Sequence, residues 1–216
     1  DKFNIPIISF IDTPGAYPGV GSEKRGIAEA IASSIDCMLS LRVPIIACIL
    51  AEGGSGGYVA LAVANRVLMM EHAIASVISP EGAAEIIFKD SSKKEQAAKS
   101  LKITSKELLK LGVIDEIIQE PIPAHRNKEQ AVSSIKAALI KHLEVFKNYS
   151  REEIFEQRKE KFLKIGKQKS LKVFSNQINW IRKDNFFTLV KKISFKFKKE
   201  LIIVILLIFV AILFLF

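Results

Sequence analysis

Asp12-Thr13-Pro14-Gly15-Ala16-Tyr17-Pro18-Gly19-Val20-Gly21 and Glu52-Gly53-Gly54-Ser55-Gly56-Gly57 are the two stretches on which a reading of this chain turns. Each follows an apolar run, Ile5 to Ile11 in the first case and Pro44 to Leu50 in the second, and each precedes a run with helical spacing. Strand, glycine-rich turn, helix is the arrangement by which a chain offers backbone N–H groups to something negative. Glycine permits φ > 0 and lets a ligand approach with no Cβ in the way. Both turns are therefore expected to be oxyanion-binding parts of one active site. The plain alternative for each glycine is turn geometry alone.

Working outward, residues 5–12 are a continuous apolar run closed by Asp12, as in a strand buried on both faces of a parallel sheet. Its polar C-terminal end is where open α/β folds place ligands. Ser22-Glu23 then opens a helix to about Leu41, with Ile27, Ile31, Ile35 and Met38 at helical spacing. Val43-Pro44 ends it and starts a strand, Ile45–Leu50. After the second turn, Tyr58–Ala64 reads as a short helix of small residues, followed by strands Val67–Met70 and Ala75–Ile78. Ser79-Pro80-Glu81-Gly82 opens a third helix, with proline at its first turn and Glu81 favourable to its dipole. Residues 90–102 are charged and helix-prone, and Thr104 and Glu107 stand at capping-box spacing before a helix that Gly112 ends. A strand, Val113–Ile118, a proline-rich loop around His125-Arg126, and two helices capped by Asn127 and Ser150 complete the pattern to Gly166.

The 216 residues suffice for one sizeable core. The chain begins at Asp1, close to a strand, which reads as an N-terminally truncated domain, and shows no signal peptide. The net charge of +9 is local: residues 1–166 hold 22 Lys+Arg against 21 Asp+Glu, and residues 167–200 hold 10 against 2. Nothing in the nearly neutral part suggests a nucleic-acid surface. Cys37 and Cys48 lie in apolar runs, as buried thiols of a reducing compartment would. No CxxC, His/Cys cluster or HExxH offers a metal site. Residues 167–200 read as a basic linker with interspersed aromatics, and 201–216 (LIIVILLIFVAILFLF) as a transmembrane segment. As a helix that segment spans roughly 24 Å against a bilayer core of about 30 Å, a mismatch that flanking lysines accommodate by snorkelling.

Five motifs now stand in order: Phe10-Ile-Asp-Thr-Pro-Gly-Ala-Tyr-Pro-Gly-Val-Gly21, Glu52-Gly-Gly-Ser-Gly-Gly57, Val77-Ile-Ser-Pro-Glu-Gly82, Leu111-Gly-Val-Ile-Asp115 and Ala124-His-Arg126. On these residues the chain closely resembles the carboxyltransferase alpha subunits of multi-subunit acetyl-CoA carboxylases, over about residues 1–165. The resemblance implies an α/β fold, the crotonase-like (ClpP-like) spiral of ββα units, over residues 1–166, followed by C-terminal helices and, in this chain, the membrane helix. Departures from the family pattern are Tyr58 where a small residue is usual, Ala51 before Glu52, Ala83 and Phe88 around the third helix, and a loop before His125 without paired glycines.

The resemblance also implies the chemistry: transfer of a carboxyl group from carboxybiotin to acetyl-CoA, giving malonyl-CoA. The carboxyl–nitrogen bond breaks, a carbon–carbon bond forms at the thioester methyl, and the methyl proton passes to the biotin nitrogen, so no protein base is required. A ureido oxyanion and an enolate develop, and each needs fixed N–H donors in a dry pocket. By that resemblance Gly56 and Gly57 donate N–H groups toward biotin, and Gly53 and Gly54 shape the turn against the substrate. Gly15 and Ala16 are second donors or the pocket wall, and Tyr17 and Gly19 belong to the substrate-binding surface. Asp12 and Glu52 are expected to cap strand ends or pair within the site. The implied cofactor is biotin on a separate carrier protein, with no metal on this chain. The implied partners are a carboxyltransferase beta subunit in an α2β2 assembly, the biotin carboxyl carrier protein, biotin carboxylase and acetyl-CoA. The implied location is the cytoplasm or plastid stroma, with membrane association through residues 201–216. Two other readings stay open at this point. One is a ClpP-like membrane-bound serine peptidase using Ser55, with His72 or Lys89 as its base; the other is a non-catalytic membrane-tethered adaptor.

Overall fold

The computed structural model describes residues 1–166; the basic segment 167–200 and the apolar stretch 201–216, with the expected membrane span, lie outside the described residues. In chain order the elements are β1 (Ile7–Thr13), α1 (Val20–Lys24), α2 (Ile27–Ser40), β2 (Ile45–Gly54), α3 (Ser55–Leu61), β3 (Arg66–Met70), β4 (Ile74–Ser76), α4 (Pro80–Phe88), α5 (Lys94–Leu101), α6 (Ser105–Lys110), β5 (Glu116–Ile118), α7 (Lys128–Val145) and α8 (Arg151–Lys164). The strands form one parallel sheet in the order β1-β2-β3-β5, with β4 pairing the far end of β2. Among the described residues no helix is long and apolar enough to cross a membrane.

Strand β2 is the axis of the sheet. Ile45, Ile46, Ala47, Cys48 and Ile49 are wholly buried, because β1 and β3 flank them and helices cover them. Around them Ile11, Val67, Leu68, Met69, Met70, Ile114, Ile118, Ala138 and Leu139 close the core. Burial pushes the Cys48 thiol up to about 12, so it is an inert core residue. Cys37, expected inside, is exposed: it lies on α2, none of whose residues is fully buried.

Three further expectations are corrected. Strand β1 is not buried on both faces. Among the described residues it is the sheet edge, with Ile8 40% and Phe10 53% exposed, Ile11 fully buried and Ile7 packed partly against the core. The helix expected from Ser22 to Leu41 is two helices, because Gly26 takes a left-handed conformation (φ 76°) between α1 and α2. The second strand does not end at Leu50 but continues through Gly54, where Glu52, Gly53 and Gly54 pair with Ile74, Ala75 and Ser76. The starts of α4, α6, α7 and α8 fall where the caps predict, whereas α1 begins at Val20, ahead of Ser22. Ser79 Oγ accepts from the Gly82 N–H, Asn127 Oδ1 from the Gln130 N–H, and Thr104/Glu107 and Ser150/Glu153 form capping boxes.

Helix α8 crosses the N-terminal end of the sheet and holds it with polar side chains. Arg158, fully buried, donates to the carbonyls of Leu41 and Val43 and, at 2.7 Å, to Asn65 Oδ1. Asn65 Oδ1 also accepts from the Ile45 N–H at 3.1 Å, and its amide donates to Ile154 O at 2.8 Å and Gln157 Oε1 at 2.6 Å. Beside it, Asp115 accepts from the Val67 N–H and pairs with Lys161 and Arg66. Burial lowers the Arg158 guanidinium to about 10, which still leaves it charged at neutral pH.

Candidate functional site

The opposite end of the same strands carries the two glycine-rich turns, and the fold seats one on the other. Between Ile11↔Ile49 and Thr13↔Gly53 the register shifts, so that β2 bulges against β1. The N–H of Glu52 in this bulge donates to Asp12 Oδ1 at 3.3 Å. Asp12 therefore acts as a strand-end acceptor, as its position suggests.

Past the bulge the turns meet backbone to backbone. A Cβ on Gly54 would stand 2.1 Å from the Pro14 carbonyl oxygen, and one on Gly57 3.2 Å from Thr13 Oγ1. A Cβ on Gly56 would meet Ile31 at 3.0 Å, with Ala16 beyond it at 3.7 Å. Gly15, at φ 123°, leaves room for the Ser55 side chain, whose Cβ would be 3.0 Å from a side chain there. The glycines are thus required by the close approach of one turn to the other.

The Gly15 N–H donates to Thr13 Oγ1 at 3.2 Å, so it closes its own turn. Gly54 caps α3 with no side-chain acceptor, leaving the first-turn N–H groups, Gly56 and Gly57 among them, without a side-chain cap. Ser55 opens α3 with φ 47°, a left-handed conformation that side chains rarely adopt. Strand β2 turns into α3 within this one residue.

A cleft of about 180 Å³ opens beside the turns. Pro14, Glu52, Gly53, Gly54 and Ser55 form one wall, Ile74, Ser76 and Ile78 the next, and Ser79, Pro80, Glu81 and Ile103 close it. Of the residues picked from the sequence, Gly53 and Gly54 line this cleft. Gly15, Ala16, Gly56 and Gly57 lie in the contact between the turns, while Tyr17 is exposed and folds over Gly19. The Tyr58 ring packs against Gly53 from the core side and lines a separate apolar pocket with Ile35, Val63, Val67 and Phe162. Tyr58 does not crowd the cleft, and burial pushes its phenol above the usual value.

The far wall from β4 and the start of α4 was not read as part of the site. Its only signal was the Ser79-Pro80-Glu81-Gly82 helix start, which marks a cap without saying what the cap faces. The Glu81 carboxyl is held below the usual range by its own backbone N–H, with Lys94 at 3.4 Å adding to this.

The strand-to-helix elbow at Ser55, within Gly53-Gly54-Ser55-Gly56-Gly57, has the pattern of a nucleophile elbow. It lacks the base. No His or Lys lines the cleft among the described residues. His72 Nδ1 is 3.3 Å from Glu120, and Lys89 caps the far end of α4, roughly 13 Å along the helix from Pro80. The serine-peptidase reading is therefore not favoured. Among the described residues no group of His, Cys, Asp and Glu is arranged to hold a metal.

Residues 1–166 match the family model described as acetyl co-enzyme A carboxylase carboxyltransferase-like. The acetyl-coenzyme A carboxylase carboxyl transferase subunit alpha of Pelagibacter ubique (strain HTCC1062) is 57% identical over 180 residues, covering 83% of this chain and 48% of that protein. The chain spans about half the length of the curated relatives it matches. Among solved structures, transcarboxylase 12S with methylmalonyl-coenzyme A bound is 27% identical at a TM-score of 0.50, over 62% of this chain and 27% of that one. A Pseudomonas malonate decarboxylase hetero-tetramer in complex with coenzyme A shares the fold at a TM-score of 0.59 and 17% identity, over 82% of this chain and 67% of that one. The five motifs, the parallel sheet and the extent of the match lead to one assignment: the chain belongs to the acetyl-CoA carboxylase carboxyltransferase family.

Proposed function

We propose that this chain supplies the alpha half of a carboxyltransferase site. It would move a carboxyl group from carboxybiotin, carried on a separate protein, to acetyl-CoA, giving malonyl-CoA, together with a beta-type partner subunit. The observation that carries the reading is the seating of the two glycine-rich turns on each other at the ends of β1 and β2, within the 166 residues that match the family. Carboxyl transfer creates negative charge on oxygen, and fixed backbone donors stabilise such charge without reorganising. Gly56 and Gly57 are the proposed donors toward the biotin ureido oxygen, since α3 begins without a side-chain cap. Gly53 and Gly54 hold the turn in place, and Gly15 and Ala16 form the wall against it. Tyr17 and Gly19, on the outer side of the first turn, are proposed to meet the incoming carrier or acyl-CoA. The parallel sheet, in which β2 is flanked by β1 on one side and by β3 and then β4 on the other, supports the crotonase-like spiral as the finer description of the fold. The proposed location is the cytoplasm or plastid stroma.

The test is malonyl-CoA formation from carboxybiotin and acetyl-CoA, with the full-length chain alone and in complex with the beta-type subunit from the same source. Product is expected only when both chains are present. A formed complex of two folded chains that makes none would overturn the enzyme reading and leave the adaptor.

A further inference from the structure

The cleft beside the turns holds three serine hydroxyls, and the structure treats them differently. Ser76 Oγ donates to Ile78 O at 2.7 Å, fixing the turn after β4. Ser79 Oγ accepts from the Gly82 N–H at 3.1 Å, capping α4. The third, Ser55, lines the cleft half-buried, and its hydroxyl makes no hydrogen bond among the described residues. Gly15 makes room for its Cβ, and the left-handed backbone at the elbow sets its direction. The other residues of Gly53-Gly54-Ser55-Gly56-Gly57 are all glycine, the residue this conformation accepts without strain. A half-buried hydroxyl with no protein partner among the described residues, in a cleft whose other two serine oxygens are each engaged by the backbone, is free to donate to an oxygen supplied from outside.

We infer that the Ser55 hydroxyl is a substrate-facing hydrogen-bond donor in this cleft, directed at the substrate oxygen that gains negative charge as the carboxyl group moves. The inference rests on the carboxyltransferase reading above. It is a donor role and not a nucleophilic one, because among the described residues no His or Lys lines the cleft to take the serine proton.

The experiment compares wild type, Ser55→Ala and Ser55→Gly in the assembled complex, reading malonyl-CoA formation, complex formation and melting temperature. Ala keeps the Cβ and the strain but loses the hydroxyl; Gly loses the hydroxyl, the Cβ and the strain together. Both are expected to lower kcat about a hundredfold, with KM changed less than about threefold, as for loss of one donor to a developing oxyanion. The Gly variant should melt within about 2 °C of wild type, since relief of strain offsets the freer unfolded chain. A merely structural serine would not give lost turnover with unchanged melting. If either variant, folded and in complex, keeps kcat within about threefold, the role is overturned while the carboxyltransferase reading stands. An inactive wild-type complex overturns both. Covalent labelling of Ser55 by a fluorophosphonate would also overturn the donor role, because it would show an activated nucleophile.

Discussion

At Ile45, the first residue of β2, the backbone N–H donates to Asn65 Oδ1 at 3.1 Å, and Arg158 and α8 close over the junction. At Gly54, the last residue of the same strand, the Pro14 carbonyl lies where a Cβ would come within 2.1 Å of it. One end of the strand is fixed by long polar side chains that are fully buried, the other by the absence of side chains. The difference follows from what each end must do. A buried guanidinium satisfies several carbonyls at once and locks the end of the sheet, but it fills the space it occupies. Glycines bring two backbones into contact and leave peptide N–H groups within reach of a ligand. Rigidity at the closed end suits the candidate site at the open end.

The comparison breaks most visibly at Arg158. Replacing it with Ala strips the Leu41 and Val43 carbonyls and Asn65 of a shared donor and opens a cavity under α8. The expected cost is about 4 kcal/mol, or roughly 8–16 °C in Tm for a chain of this size. Malonyl-CoA formation per folded complex should stay within about twofold of wild type, because the cleft lies at the other end of β2. Thermal unfolding together with activity at low temperature would check both halves. A Tm shift under about 3 °C would mean that the clamp does not hold the sheet.

Gly54→Ala tests the open end and comes next in size. The clash is with backbone, which cannot rotate away, so the first turn must shift or the strand must bend. We expect about 3 kcal/mol of destabilisation and a loss of turnover beyond a hundredfold, since displacement of either turn misplaces the proposed donors. The pair of variants separates the two ends. Arg158→Ala loses stability at constant turnover, and Gly54→Ala loses more turnover than its stability explains. Equal behaviour of the two would erase the distinction.

The two ends were also unequally legible in the sequence. Gly53, Gly54, Gly56 and Gly57 announce a close approach, because so many glycines after an apolar strand have no other packing use. What they approach was not legible: Pro14 and Thr13 are some 40 residues away, and only the register of β1 on β2 brings them together. The clamp was hidden by its residue types. In Arg151-Glu-Glu-Ile-Phe-Glu-Gln-Arg158 most side chains are polar, and an arginine among them reads as solvated. The one available signal is spacing, since Ile154, Arg158 and Lys161 fall on one helical face, the face that meets the sheet. Helix starts were readable because capping is local chemistry. The edge position of β1 was not, because an apolar run carries no mark of how many neighbours it will find.

The smallest effect is one of charge, and it sharpens the polar end. Glu116 starts β5, and its Oε2 accepts from Lys141 Nζ at 2.6 Å and from His142 Nε2 at 2.8 Å. Partial burial pushes the Glu116 carboxyl up, but these two partners more than offset it, and the group ends below the usual carboxylate value. A carboxyl with a lower pKa folded than unfolded adds stability above its unfolded pKa, near 4.5, and loses it as pH falls through the folded value. Glu116→Gln should therefore cost roughly 1 kcal/mol at pH 7. The difference from wild type should shrink as pH falls below about 4.5 and close once the wild-type carboxyl is protonated in the folded state too. Urea midpoints of both proteins across that range would show two curves converging in acid. Parallel curves would mean that Glu116 gains nothing from Lys141 and His142, and that the polar end is held by Arg158, Asn65 and Asp115 without it.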